Sequence, residues 1–160
     1  YAAAGEGRGS PGVDGFGAVG VASDTSNFLL RAQIIPGSLV SSYGIRFGAG
    51  EKMRGGVELR VEPTKGKIGL RPAETSLAVE LESSAIYEVA ALDRPFELEL
   101  LVSNDIVDVC VDGRRTLVAR LAPSTGGRVF LFAQSGRVSF ERIELRPVAD
   151  RHGGTMGPPK

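Results

Sequence analysis

The sequence predicts an all-β protein, folded as a two-sheet antiparallel β-sandwich. Apolar and polar residues alternate over many short segments, and successive side chains of a strand point to opposite faces of its sheet. The 22 glycines and 9 prolines are spread along the chain between these segments. Such turn signals at about 8–12-residue spacing are typical of sandwiches and barrels. A sandwich is favoured because each apolar sheet face needs a partner sheet.

The first half of the predicted domain contains four strands. Strict alternation is clearest in Val57–Glu62 (VELRVE), where the apolar side chains share one face and the charged ones share the other. In the segment before it, Tyr43 is expected to pack inward together with Ile45 and Phe47. The Pro36–Gly37 pair marks the end of the first strand. The four predicted strands are Asn27–Ile35, Tyr43–Phe47, Val57–Glu62 and Lys67–Arg71.

The second half repeats this pattern more strongly. Asp112–Gly113 is among the best short-range hairpin signals, and Ser103–Asp105 is a second connection rich in turn-forming residues. With the strands of this half, the chain has about ten predicted strands and no convincing helix. Only Ala73–Tyr87 is ambiguous. The predicted strands here are Phe96–Val102, Ile106–Val111, Thr116–Leu121, Arg128–Ala133 and Arg137–Leu145.

One domain is predicted, over residues 15–148. Residues 1–14, rich in Gly and Ala, are interpreted as a flexible lead-in, and residues 149–160 as a disordered tail that cannot bury enough surface to order itself. The formal net charge of +0 removes the electrostatic argument for nucleic acid or an anionic membrane. No apolar run approaches the ~18 residues of a membrane helix. The first residues lack the basic-then-apolar pattern of a signal peptide, and a mature or excised secreted module stays open.

Cysteine and histidine usage argues against an enzyme. Cys110 and His152 are the only residues of their kinds, which excludes an intrachain disulfide, a cysteine-built zinc site and a multi-histidine metal centre. Gly15–Gly20 superficially matches a dinucleotide fingerprint but lacks the strand-then-helix context. No cofactor or metal is therefore predicted. Asp14, Asp24 and Asp150 are the candidates for a structural calcium ion, but they lack the dense acidic spacing of a calcium loop.

A longer motif points to a known family. Leu92–Phe96 (LDRPF) leads into an apolar strand, a short turn and the hairpin Ile106–Arg114 (IVDVCVDGR), and closing strands follow at Val129–Phe132 and Val138–Arg146. This order resembles the C-terminal β-sandwich module of family 32 glycoside hydrolases, which act on fructans and sucrose-like sugars. Cys110 stands where that family usually has Phe, and Asp112 where it has Asn. The match is good over Ala91–Leu121 and loose over Asn27–Pro147.

The resemblance implies a concanavalin A-like jelly roll and a non-catalytic accessory role. Catalysis in that family belongs to a separate N-terminal propeller, whose N-D-P-N-G-like, R-D-P and E-C motifs do not occur here. Related sandwiches occur as free-standing carbohydrate-binding modules, including fructan-binding ones. The implied partners are a polysaccharide or oligosaccharide and a hydrolase domain in the same parent chain. An extracellular location is implied, and a cytoplasmic one stays open.

Five of the six candidate sugar-binding residues lie on the predicted non-core face of the 43–71 ladder, and the sixth lies in the ambiguous segment. Arginine forks and carboxylates bind vicinal hydroxyls in pairs, and an aromatic ring stacks on the apolar face of a sugar. With no Trp in the chain, a small polar pocket for a chain end or short oligosaccharide is expected. The competing interpretation is a charge-balanced solvent face. The candidates are Arg46, Glu58, Arg60, Glu62, Arg71 and, as the stacking ring, Tyr87.

Two other functions remain open at this point. A purely structural module, bracing a propeller or mediating dimerisation, predicts a contiguous exposed apolar patch. A small hydrolase predicts a cleft with two carboxylates about 5–9.5 Å apart. Glu58 with Glu62, and Glu97 with Glu99, are same-face pairs. Alternating acidic residues are, however, the ordinary composition of a solvated strand face.

Overall fold

The computed structural model describes residues 16–22, 26–73, 87–121 and 127–149. Apart from two short 3-10 turns, Glu51–Met53 and Pro63–Lys65, the elements of this part are β-strands. No helix among these residues has the length and apolarity needed to cross a bilayer. The strands are β1 (Phe16–Ala22), β2 (Phe28–Pro36), β3 (Ser42–Ala49), β4 (Val57–Glu62), β5 (Lys67–Pro72), β6 (Tyr87–Glu88), β7 (Phe96–Ser103), β8 (Ile106–Val111), β9 (Arg114–Arg120), β10 (Arg128–Gln134) and β11 (Val138–Pro147).

The strands form two antiparallel sheets, and the predicted sandwich is confirmed. One sheet has the order β1-β10-β3-β4-β5-β6, and the other has the order β11-β2-β7-β8-β9. The neighbours β3, β4 and β5 follow one another in the chain, as do β7, β8 and β9. In contrast, β10 lies beside β3 and β11 beside β2 only through long-range pairing.

The core lies between the two sheets and takes alternate residues from their strands. Tyr43, Ile45 and Phe47 of β3 are buried there, as their alternation predicts. The ring of Phe47 meets that of Phe28 from the opposite sheet, edge to face, with the centroids 6.0 Å apart. The hydroxyl of Tyr43 donates to the Leu92 carbonyl at 2.9 Å, so its one buried polar atom is satisfied.

The hairpin between β8 and β9 has the turn that its sequence predicts. Asp112 and Gly113 both have positive φ, 49° and 73°, which is the backbone that a two-residue turn needs to match the twist of its strands. The Asp112 carboxylate also accepts a hydrogen bond from the Glu97 backbone N–H at 2.9 Å. Because this turn is so tight, β9 begins at Arg114, two residues before the predicted start at Thr116.

The segment that superficially matches a dinucleotide fingerprint is a strand. Phe16–Ala22 pairs with β10 along an edge of the six-stranded sheet. Several other predictions fall outside the described residues: the lead-in over 1–14, nearly all of the 149–160 tail, most of the ambiguous 73–87 segment and the three calcium candidates.

Candidate functional site

Strand register brings four of the predicted site residues together on the outer face of the six-stranded sheet. Arg46 of β3 lies directly opposite Glu58 of β4, and Glu58 lies opposite Arg71 of β5. Arg60 follows two positions after Glu58 on β4 and therefore shares its face. We call these four residues the arginine–glutamate cluster.

Glu58 is the centre of the cluster and is 1% exposed. The Arg46 guanidinium donates to its Oε1, and the Arg71 Nε donates to its Oε2 at 2.8 Å. The Arg60 guanidinium lies 3.7 Å from the same Oε2. A buried carboxylate is tolerable only when it is paired and hydrogen-bonded in this way. The interpretation of this face as merely solvated is therefore wrong for Glu58.

The arginines are themselves held by groups outside the cluster. Arg46 donates to the Met53 carbonyl at 2.7 Å, which ties β3 to the 51–53 turn. Arg60 donates to the Gln134 Oε1 at 2.8 Å, and the Ser42 hydroxyl donates to the same oxygen at 3.3 Å. Burial lowers the pKa of Arg60 below its ordinary value, and repulsion from Arg71 lowers it further.

Two of these contacts were not predicted from the sequence. Gln134 ends β10, which is distant along the chain from β4. Ser42 is the first residue of β3 and lies just before the predicted strand Tyr43–Phe47. Only the placement of β10 beside β3 brings Gln134 to Ser42, its partner in the register. A local pattern carries no signal for such a pairing.

An aromatic ring lies next to the cluster, but it is not the predicted one. Phe130 of β10 is the register partner of Arg46 and is partly buried on the same outer face. Its ring packs beside Gly20 of β1, where an added Cβ would lie 3.4 Å from it. Phe132, two positions along, lies opposite Gly44 and is 1% exposed. A partly buried phenyl ring beside a guanidinium fits the stacking role that we assigned to Tyr87.

The two remaining predicted residues lie apart from this centre. Glu62 shares the outer face of β4, but its carboxylate accepts from Lys65 at 2.8 Å. The Lys65 hydrogen bond lowers the pKa of Glu62. Tyr87 begins β6 at the edge of the sheet. Its register partner is Ile68, which is 0% exposed in the core, so position 87 lies on the core face of the sheet and the expectation of an outer-face stacking residue there is wrong.

The outer face of the five-stranded sheet carries a second polar surface. A depression of about 440 Å³ is lined by Arg31, Glu97, Glu99 and neighbouring residues. Its central contact is the Arg31–Glu99 ion pair at 2.6 Å, with half of the Arg31 side chain and 38% of the Glu99 side chain exposed. This face is thus a solvated surface of charged side chains, as the alternating charges predict.

The two predicted carboxylate pairs are either engaged by basic side chains or lie at the surface. Glu58 is held by arginines and Glu62 by Lys65. Glu97 and Glu99 lie at the surface, where Glu99 pairs with Arg31. Within residues 16–22, 26–73, 87–121 and 127–149, no group of three potential metal ligands occurs.

Exposed large apolar side chains are few in the described part of the chain and do not form one patch. They are Leu39, Ile106 and Val118. Ile106 and Val118 lie on β8 and β9, at one edge of the five-stranded sheet. Leu39 lies in the turn after β2, near β11 at the opposite edge. The contiguous patch expected of a bracing or dimerising module is not found among these residues.

Solved structures share the fold of this chain. The carbohydrate-binding module CBM66 from Bacillus subtilis matches with a TM-score of 0.69 and 14% identity, over 83% of each chain. A galectin from Caenorhabditis elegans matches with a TM-score of 0.59 and 13% identity, over 81% of this chain and 89% of the galectin. No protein-family model matches the chain, and no curated protein sequence does.

The predicted resemblance to family 32 glycoside hydrolases is confirmed for the fold. An exo-inulinase from Aspergillus awamori matches with a TM-score of 0.64 and 16% identity. The match covers 83% of this chain but only 27% of the enzyme, so this chain corresponds to about a quarter of that protein. The chain therefore has a sandwich fold that occurs both in carbohydrate-binding modules and as one part of a larger hydrolase.

Proposed function

We propose that this protein is a non-catalytic carbohydrate-binding module. The observation that carries the proposal is the arginine–glutamate cluster, in which a 1% exposed carboxylate holds three guanidiniums on one sheet face beside the ring of Phe130. A solvent face needs no buried carboxylate, since burying a charge costs several kcal/mol unless its partners are well placed. A prearranged set of donors is what a small polar ligand requires.

Each part of the cluster has a distinct role in this proposal. Arg60 and Arg71 donate hydrogen bonds to sugar oxygens, and their planar forks select pairs of oxygens by geometry. Phe130 stacks against the apolar face of the sugar ring. Glu58 is a positioning residue, because both of its oxygens are already engaged by arginines. Glu62 stays a predicted contact at the edge of the site, whereas Tyr87 has the buried Ile68 as its register partner and is not part of the proposed site.

The biological role that follows is targeting. A module that holds a polysaccharide near a hydrolase domain in the same parent chain raises the effective concentration of substrate. The fold shared with CBM66 and with part of an exo-inulinase supports this role. Fructan is the first ligand to test, and an extracellular location fits a polysaccharide substrate.

Glycan binding tests the proposal directly. The 160-residue chain is run by affinity electrophoresis through gels containing fructan, β-glucan, xylan and acidic polysaccharides, and dissociation constants are then measured by calorimetry. At least one glycan should retard the protein. Arg71→Ala should weaken binding about tenfold by removing charge-assisted hydrogen bonds, and because the Arg71 side chain is 48% exposed, the fold should survive.

Arg115→Ala is the matched control. Arg115 lies on the other sheet and is 71% exposed, with its own carboxylate partner Asp108. Its removal should leave glycan affinity unchanged. The proposal is wrong if no glycan retards the folded protein, or if Arg71→Ala and Arg115→Ala weaken binding equally.

A further inference from the structure

The arginine–glutamate cluster offers a ligand hydrogen-bond donors rather than acceptors. Arg46 and Arg71 occupy the two carboxylate oxygens of Glu58. The Gln134 side-chain oxygen already accepts from Arg60 and from Ser42. The guanidinium of Arg71 uses its Nε for Glu58, and its side chain is about half exposed. A guanidinium has five N–H donors and no acceptor, so the surface left for a ligand is rich in donors.

The charges of the same surface do not balance. Within the described residues of the cluster, three guanidiniums surround one carboxylate. The acidic residues nearby on this sheet face have basic partners of their own: Glu62 is paired with Lys65 and lies opposite Lys67, which in turn lies opposite Glu88. Burial is the largest cause of the lowered pKa of Arg60; repulsion from Arg71 lowers this pKa further, while attraction to Glu58 and Glu62 opposes the shift.

A neutral sugar is a poor ligand for this surface. Every sugar hydroxyl both donates and accepts, and a hydroxyl proton that loses water without gaining an acceptor costs about 1–3 kcal/mol. A carboxylate or a sulfate has oxygens that only accept, and its charge compensates the surplus of guanidinium charge. Bidentate arginine–oxyanion pairs are among the strongest hydrogen-bonded contacts in proteins.

We propose that the preferred ligand of this site is an acidic saccharide, whose carboxylate or sulfate group binds Arg60 and Arg71. This inference rests on the proposed carbohydrate-binding function and names its ligand class. It places the anionic group over β4 and β5 and the sugar ring toward Phe130 on β10. Fructans and other neutral glycans are then the weaker ligands.

Paired glycans that differ only in charge test the inference. Polygalacturonate is compared with its methyl-esterified form, and dextran sulfate with dextran, by calorimetry on the full chain at low and at physiological salt. Each acidic glycan should bind at least about tenfold more tightly than its neutral counterpart, and this preference should shrink as salt screens the exposed charges. Which acidic polymer binds more tightly distinguishes a carboxylate from a sulfate ligand.

Arg71→Gln tests whether the cluster is responsible. This change keeps a polar side chain but removes the charge, and it should abolish most of the preference, whereas Arg115→Gln on the other sheet should preserve it. General attraction of a polyanion by the whole protein is weak, because the formal net charge is +0. Equal losses in the two variants would show general attraction and overturn the inference.

The outcomes separate this inference from the proposed function. If neutral glycans bind as tightly as acidic ones and Arg71→Gln weakens this binding, the acidic preference is overturned. Sugar binding at the cluster then still stands. Absence of binding to every glycan would overturn the proposed function itself. If an acidic glycan binds more tightly than its neutral counterpart, and only Arg71→Gln loses this preference, the result supports both the acidic preference and the proposed function.

Discussion

Glu58 shows how the neighbours of one residue decide its role. Its carboxylate is buried on a sheet face made of charged side chains, because arginines from β3, β4 and β5 surround it. We expect Glu58→Gln to destabilise the fold by about 3 kcal/mol, since breaking a buried ion pair leaves guanidiniums without their counter-charge. Urea unfolding followed by far-ultraviolet circular dichroism measures this loss.

The exposed Glu99 is the matched control for Glu58. It also pairs with an arginine, but on the other sheet and with 38% of its side chain exposed. Glu99→Gln should leave the unfolding midpoint nearly unchanged, because solvent-exposed ion pairs contribute little net stability. Similar midpoints for the two variants would contradict the structural role of Glu58.

The free energy of unfolding should depend on alkaline pH because of Tyr43. Burial raises the pKa of Tyr43 above its ordinary value, and the charge of Asp93 raises it further. The folded state therefore keeps a proton that the unfolded state loses above about pH 10. The stabilisation is fully present below that pH and is lost as pH rises toward the folded pKa. Unfolding free energies measured between about pH 8 and pH 11 should fall accordingly.

Tyr43→Phe isolates this effect from other alkaline titrations. At about pH 8 the variant should be less stable by about 1 kcal/mol, because it lacks the hydrogen bond to the Leu92 carbonyl. The difference from the parent protein should narrow toward pH 11, since phenylalanine does not titrate. If the unfolding free energies of the parent protein and of Tyr43→Phe run parallel from about pH 8 to pH 11, the alkaline dependence does not come from Tyr43.

At the scale of elements, the contact between β3 and β4 depends on Gly44. A Cβ at Gly44 would lie 1.8 Å from the Leu59 carbonyl oxygen, which is backbone and cannot move aside without separating the strands. Gly44→Ala should therefore cost about 3 kcal/mol or more. It should also disturb the cluster, because Arg60 on β4 is the register partner of Gly44. Thermal unfolding monitored by circular dichroism tests this.

Gly113→Ala is the comparison for Gly44→Ala. Gly113 has φ of 73° in the β8–β9 turn, but no atom lies within 4 Å of an added Cβ. The cost is then only that of a left-handed backbone for alanine, about 1–2 kcal/mol. A smaller effect at Gly44 than at Gly113 would mean that β3 and β4 are not packed as closely as described.

At the scale of the molecule, the two sheets share one core and should unfold together. Leu59 belongs to the six-stranded sheet and Leu100 to the five-stranded sheet, and both are 0% exposed in the same cluster. Leu59→Ala and Leu100→Ala should each lower the stability by about 2–5 kcal/mol through loss of burial and a residual cavity. Each should shift a single transition that circular dichroism and near-ultraviolet tyrosine absorbance report at the same midpoint.

Val118→Ala is the control for the core variants. Val118 lies on β9 with 47% of its surface exposed, so this truncation should change the midpoint little. Two separated transitions in either core variant would show that the sheets fold as independent units.

The sequence by itself determined the fold class, most strand positions and the face to which each strand residue points. These features depend on neighbours in the chain: alternation in Val57–Glu62 sets two faces, and Asp112–Gly113 closes a hairpin without distant contacts. The same local pattern placed Arg46, Glu58, Arg60 and Arg71 on one face. It could not tell a solvated face from a site, because burial of Glu58 requires β3, β4 and β5 to align in register.

Only the tertiary structure decided which residues complete that face. Gln134 and Phe130 reach the cluster because β10 pairs with β3, across more than half of the chain's length. Pairing at such separation depends on how both sheets close over a shared core, and no short pattern encodes it. A surface rich in donors, beside a ring that no local motif indicated, therefore emerges only when the sandwich is assembled.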